Sequence, residues 1–205
     1  PSASVTPGGV GATGTVYEHH TLKWLNEERR DAQRRLPSND DYDPRTLYVP
    51  DYYRKKLTPG LTLWWNFKAK NMDTVLFFKV GKFYETYHMD ADVGVAVCQL
   101  SYMKGAVAHC GFPEISYATM ADRLVRAGYK VARVEQTETP QMLAERKKNK
   151  RRPKGQPAPK VVNREVCSIM TLGTRTFCYL DVADQQIMEN TTSSSGTGPL
   201  LAIAE

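Results

Sequence analysis

The 205-residue chain has no apolar run near the roughly 18 residues of a membrane span, so no transmembrane helix is predicted. Its first ten residues, Pro1 to Val10, hold no charged start followed by an apolar block, which excludes a secretory signal. The chain also begins without Met, as a piece of a longer protein would. There are only four cysteines, Cys98, Cys110, Cys167 and Cys178, and no C-x-x-C pair, which argues against a zinc finger. Cys98, Cys167 and Cys178 sit among apolar residues and read as buried free thiols, suited to a reducing compartment. The four histidines offer no i, i+4 pair: His19 and His20 are adjacent, while His88 and His109 stand apart. No metal site is expected. A G-x-x-x-x-G-K-[ST] phosphate loop is missing, so ATP hydrolysis is not expected in this stretch. No internal repeat is evident.

What is present is an ordinary globular composition, 41% hydrophobic and 24% charged, with a net charge of +6. The positive excess is local. Eight basic residues and no acid fall between Arg146 and Lys160, interrupted by Pro153, Gly155, Pro157 and Pro159. Such a segment reads as a flexible, extended loop. It could stay solvated, touch phosphates without reading sequence, or serve as a nuclear-import signal.

Along the chain, residues 1–16 are rich in Gly, Ser, Thr and Ala and read as disordered. Residues 17–57 form a lead-in: a helix capped by Thr21 and running to Asp31, then an extended strap from Ser38 to Tyr53. The helix would lie on another surface through Leu22, Trp24 and Leu25. A compact domain is expected over 58–178. It opens with a helix from Leu61 to about Asn71 that carries Trp64 and Trp65 into the core. Strands are predicted at Val75–Val80, Val95–Tyr102, His109–Phe112, Tyr129–Glu135 and Arg164–Thr171. Helices are predicted from about Met89 through Val93, from Tyr117 to Ala127 with Gly128 closing it, and from Pro140 into the basic loop 146–160. Alternating strands and helices predict an α/β fold, a mixed β-sheet flanked by helices. Residues 179–205 read as a linker.

The most informative stretch follows the first strand. Gly81 lets the backbone turn, because without a Cβ it tolerates positive φ. In extended backbone beyond it, Phe83 and Glu85 project to the same side. On a helix they would point apart. One reading makes Phe83 core and Glu85 a solvated carboxylate. The other makes the ring a wedge for a base stack and the acid a hydrogen-bonding probe of the displaced base, with Lys79 and Lys82 nearby.

Lys79 to Ala91 (KVGKFYETYHMDA) closely resembles the mismatch-recognition domain of the MutS family. So, in the same order, do Thr46–Pro50, Thr58–Gly60, Trp64-Trp65, Met103–Gly105, His109–Ile115 and Gly128–Pro140. The resemblance runs from about Tyr17 to Thr176 and points to the eukaryotic homologue-six branch. It implies mismatched-DNA binding in DNA mismatch repair, with Phe83 entering the minor groove and Glu85 making the discriminating hydrogen bond. It also implies that Val80, Lys82 and Tyr84 flank the wedge and that Met103, Lys104 and His109 line the same groove. Met103 could instead simply fill a gap, and Tyr84 could point into the core. The partners implied are double-stranded DNA with mismatches or small loops, and MutS homologue two in a heterodimer. The resemblance further implies a nuclear location, a connector domain after the linker, and ATP and Mg2+ used only elsewhere in the parent protein. On residues alone, two other functions stay open. A metal-dependent nuclease would use acids such as Asp40, Asp41 and Asp43, and an interaction scaffold would dock through Trp24 and the strap.

Overall fold

The computed structural model describes residues 15–148 and 160–174. The expected disorder of 1–16, all but residues 15 and 16, lies outside them. So do most of the basic loop, the linker 179–205 and Cys178.

Five strands form one mixed sheet: β1 (Thr74–Val80), β2 (Phe83–Tyr87), β3 (His109–Pro113), β4 (Lys130–Gln136) and β5 (Arg164–Met170). Their spatial order is β3-β2-β1-β4-β5. β1 and β4 run parallel, and every other pairing is antiparallel. β1 is central and covered on both faces, which is why TVLFFKV is almost continuously apolar. Its even residues Leu76 and Phe78 pack with Ala132, Val134, Trp64 and Trp65. Its odd residues Val75 and Phe77 pack with Tyr84, Phe112, Ala121 and Leu124.

The first face is covered by the helix Pro59–Lys68 and by the lead-in. That helix starts where Thr58 Oγ1 accepts from Leu61 N, with proline at the first helical position. The lead-in adds Trp24, Leu25, Leu47, Val49 and Tyr53 to the same buried cluster, so it is part of the core. The single helix expected from Thr21 to Asp31 is absent. Two one-turn helices, Glu18–Thr21 and Lys23–Asn26, replace it, broken at Leu22 (φ −73°, ψ 105°). The Asn26 amide donates to the carbonyls of His19, His20 and Leu22, holding the break. Thr21 ends the first turn by donating to Glu18 O and caps nothing. The strap is irregular apart from one further turn at Asp51–Arg54. The buried Asp31 carboxylate knits the loop before it, accepting from Gln33 N, Arg35 N, Arg35 Nε and Asp43 N.

The second face carries the helices Met89–Cys98 and Tyr117–Arg126. The first of these corrects the expectation of a strand over Val95–Tyr102. The small residues Ala91, Gly94 and Cys98 share one side of a helix and pack on the sheet. A Cβ on Gly94 would lie 3.0 Å from Cys110 Sγ. The helix ends at Gln99 in the left-handed conformation (φ 59°). Gly128 (φ 91°) follows the second helix, as expected. A further helix spans Pro140–Lys148. Cys167, expected buried, is exposed. It is the extra residue of a bulge on the edge strand β5, where pairing skips from Ser168–Arg133 to Val166–Val134. Cys98 and Cys110 are buried, and burial pushes both thiols up to about 11.

Candidate nucleic-acid interface

The turn between β1 and β2 has two residues, because Val80 pairs directly with Phe83. Gly81 takes φ 60° while Lys82 keeps a negative φ, the pattern of a type II′ hairpin. Such a turn matches the twist of the flanking strands and leaves no slack in the register. The pleat therefore sorts the residues after it without ambiguity. Phe83, Glu85 and Tyr87 face one side, while Tyr84 and Thr86 face the other.

Phe83 sits at the hairpin tip and is 50% exposed, an unusual state for Phe. Tyr84, between Phe83 and Glu85, is fully buried. Its hydroxyl donates to Glu135 and accepts from Arg133 Nε at 2.8 Å. Lys79 Nζ lies 4.6 Å above its ring and is itself paired with Glu114. Burial first, then the bond to Glu135, pushes the Tyr84 phenol well above its ordinary range, so it stays protonated. Of the residues expected to flank the wedge, Tyr84 is thus the exception: its side chain lies behind the sheet. Its anchoring instead stiffens the strand that carries Phe83.

Glu85 lies opposite Gly111 of β3. A Cβ at Gly111 would sit 2.9 Å from Tyr84 O, 3.1 Å from Glu85 Cγ and 3.5 Å from Met103 Cε. Only glycine leaves Glu85 and Met103 room to converge there. Glu85 Oε2 accepts from the Tyr87 hydroxyl. Tyr87 in turn stacks on His109 across the strand pair, with ring centroids 5.9 Å apart and 14° between planes. Lys82 and Lys104 are exposed and Val80 is half-buried. Phe83, Glu85, Val80 and His109 thus share one face, with Met103 reaching it over Gly111.

Residues 58–177 match the family model described as MutS domain I. The chain belongs to the MutS family. It is 49% identical over 181 residues to the "DNA mismatch repair protein Msh6" of Homo sapiens. It is 52% identical over 173 residues to "DNA mismatch repair protein MSH6" of Arabidopsis thaliana. It is also 52% identical over 163 residues to "Probable DNA mismatch repair protein Msh6" of Drosophila melanogaster. These matches cover 87%, 84% and 79% of the chain but only 13% of each relative, so the chain corresponds to a small part of their length.

Two features of this MutS domain escaped the sequence reading. Tyr87 continues the alternation that Phe83 and Glu85 begin, so period two alone could have named it. The second feature joins distant segments. His19 Nε2 and His20 Nε2 lie 2.8 and 2.7 Å from Asp92 Oδ2, and the Tyr102 hydroxyl donates to Asp92 Oδ1. His19, His20 and Asp92 form a cluster of metal-ligand type. Their protons are already committed, however. His20 Nδ1 accepts from Tyr17 N, so its Nε2 carries the hydrogen that faces Asp92. The cluster fastens the lead-in to helix Met89–Cys98. Burial opposes charge on Asp92, but the bonds from His19, His20 and Tyr102 outweigh it and hold the carboxyl below its usual range. The acids considered for a nuclease are not grouped around an open site: both oxygens of Asp43 are bonded to Arg45.

Proposed function

We propose that this MutS domain senses mispaired DNA by inserting the Phe83 ring from the minor groove, with Glu85 hydrogen-bonding the base the ring displaces. The observation that carries this reading is the half-exposed Phe83 ring at a rigid hairpin tip, on the same face as Glu85 and backed by the buried Tyr84. A mispaired step stacks and pairs less well than a matched one, so wedging it open costs less. Stacking of a base on an aromatic ring contributes on the order of 1–3 kcal/mol and tolerates any base. A sensor of many mismatches needs that tolerance. Glu85 serves in either protonation state, donating to a ring nitrogen or accepting from a ring N–H. Lys82 and Lys104 are exposed, and contacts from them to phosphates would add affinity without sequence information.

The relatives named for DNA mismatch repair support a role in that process. The same reading places the domain in a larger nuclear ATPase that pairs with MutS homologue two and binds ATP and Mg2+ outside this domain. Domain I itself then binds and does not catalyse. The deciding experiment is a competition assay with a G·T duplex against its matched counterpart. Phe83→Ala should remove the preference for G·T while leaving salt-dependent binding to both duplexes. A variant that keeps the preference overturns the reading.

A further inference from the structure

Behind the wedge, on the opposite face of the sheet, lies a network of charges of a kind that strand interiors seldom hold. Arg133 and Glu135 stand two apart on β4, and Arg133 is the partner of Phe77 in the β1–β4 register. Arg133 Nε donates to Glu135 Oε1 at 2.6 Å and to the Tyr84 hydroxyl at 2.8 Å. The same hydroxyl donates to Glu135 Oε1, so the three groups close on one another. The Arg133 guanidinium carbon lies 4.8 Å from the centre of the Tyr117 ring, and the Tyr117 and Tyr84 ring centroids are 5.3 Å apart. Burial opposes charge on Glu135, but the bonds from Tyr84 and Arg133 outweigh it and hold the carboxyl below its usual range. A second arm reaches the turn itself. Glu114 pairs with Lys79, whose ammonium stands over the Tyr84 ring, and Glu114 N donates to Lys82 O at 2.9 Å.

We infer that Arg133 and Glu135 are positioning residues for the wedge: acting through Tyr84, they fix the direction in which Phe83 meets the duplex. This rests on the Phe83 wedge reading and deepens it. Phe83 is half exposed and so has little packing of its own. Its place is set by its chain neighbours, the two-residue turn on one side and Tyr84 on the other. A wedge works only while it resists the stack it enters. If the strand yields, the ring slides aside at mispaired and matched steps alike, and preference is lost before affinity is. Binding groups need support that holds them within about 0.5 Å of the working geometry. Stability alone does not account for the network, because exchanging a buried ion pair for well-packed apolar side chains is often neutral or stabilising. What it adds is direction: phenol, guanidinium and carboxylate satisfy one another in one arrangement, where an apolar contact admits several.

The test uses the full-length protein that carries this domain, with a G·T duplex and its matched counterpart. Tyr84→Phe removes the hydroxyl and keeps the ring. Glu135→Leu removes the acceptor, whereas Glu135→Gln returns one to the same place. Tyr84→Phe and Glu135→Leu should each lower the ratio of G·T to matched affinity about tenfold, with matched binding within about twofold of wild type. Glu135→Gln should recover most of the ratio. Leu47→Ala, which opens a cavity in the buried cluster on the other face, should destabilise the fold and keep the ratio. Hydrogen exchange over Val80–Glu85, followed by mass spectrometry, should quicken in Tyr84→Phe and Glu135→Leu ahead of the rest of the sheet. An unchanged ratio in both of those variants overturns the proposal. So does an equal loss in Leu47→Ala, which would make the effect one of stability, and so does a lost ratio with unchanged exchange at the hairpin. The wedge reading fails separately, when Phe83→Ala retains its G·T preference.

Discussion

The Tyr87 hydroxyl donates to Glu85 Oε2 from two residues further along the same strand, and its ring is held flat against His109. Burial first, and then the Glu85 carboxylate, keeps that phenol protonated well above its ordinary range, so it remains a donor. One carboxylate oxygen is thereby fixed and the other is presented to the face that carries Phe83. Hydrogen bonds to charged groups contribute about 1.5–3 kcal/mol where both partners are ordered. Tyr87→Phe keeps the ring and loses the donor. It should reduce the ratio of G·T to matched-duplex affinity about tenfold, with little change in melting temperature. An unchanged ratio in fluorescence anisotropy would show that Glu85 needs no such orientation.

Glu85 itself should act by repulsion as much as by attraction. A carboxylate facing the phosphates of a duplex that cannot be opened disfavours that complex. Glu85→Gln removes the charge and keeps the shape, so it should tighten binding to matched DNA several-fold and erode discrimination. Titration of both duplexes at fixed salt checks this, since phosphate contacts make affinity salt-dependent. Equal weakening on both duplexes would count against the repulsive role.

Much of this arrangement was legible in the sequence because period two and the turn glycine are local signals. Phe83 and Glu85 on one side of a strand, the central run Val75–Val80 and the burial of Trp64 and Trp65 all follow from spacing. What stayed hidden depends on distant neighbours. Val95–Tyr102 partly alternates like a strand, yet Ala91, Gly94 and Cys98 pack as a helix, with Gly94 close against Cys110 of β3. Cys167 looks apolar in context, but a bulge on an edge strand turns it outward. The break at Leu22 is held by the Asn26 amide, which no helix propensity records. His19, His20 and Asp92 meet only because the lead-in crosses helix Met89–Cys98.

Gly111 is the position where strand packing and the site meet. A Cβ there would lie 2.9 Å from Tyr84 O, a backbone atom that cannot swing aside, and 3.1 Å from Glu85 Cγ. Gly111→Ala should therefore push β3 from β2 and displace both Glu85 and Met103. Overpacking of this kind costs about 1–3 kcal/mol. We expect a lower denaturant midpoint together with loss of G·T preference. Stability equal to wild type would show that the strands separate freely there.

Lys68 and Asp90 form a buried ion pair, Nζ to Oδ1 at 2.6 Å, with both side chains 2% exposed. Lys68 also donates to Thr74 O, and Asp90 Oδ2 accepts from Leu76 N, so the pair ties two helices to β1. Burial pushes the Asp90 carboxyl upward, opposed chiefly by Lys68. Lys68→Met leaves that acid unpaired in the core, and breaking such a pair costs about 3–5 kcal/mol. Urea unfolding at neutral pH should show a loss of that order. The double variant Lys68→Met with Asp90→Asn should recover part of it, since no buried charge then remains.

His88 gives the fold a dependence on mild acid. It is fully buried at the start of helix Met89–Cys98, with the rings of Trp64 and Trp65 at 5.3 and 5.1 Å. Burial first, with His19 adding to it, lowers its pKa to about 3, against weaker support from Asp92. An unfolded His titrates near 6.5. Between those values the unfolded chain binds a proton that the folded chain refuses, so stability is full above about pH 6.5 and falls on acidification. The slope from this one group is about 1.4 kcal/mol per pH unit until the folded protein itself titrates. His88 has φ 50° and ψ −128°, outside the left-handed helical region, so His88→Asn removes the titration and leaves the backbone the same demand that His88 already meets. Unfolding free energies at pH 7.5, 6.0 and 5.0 should fall less steeply in the variant, by about 1 kcal/mol for each unit below 6. Parallel slopes in the two proteins would mean that His88 is protonated within the fold.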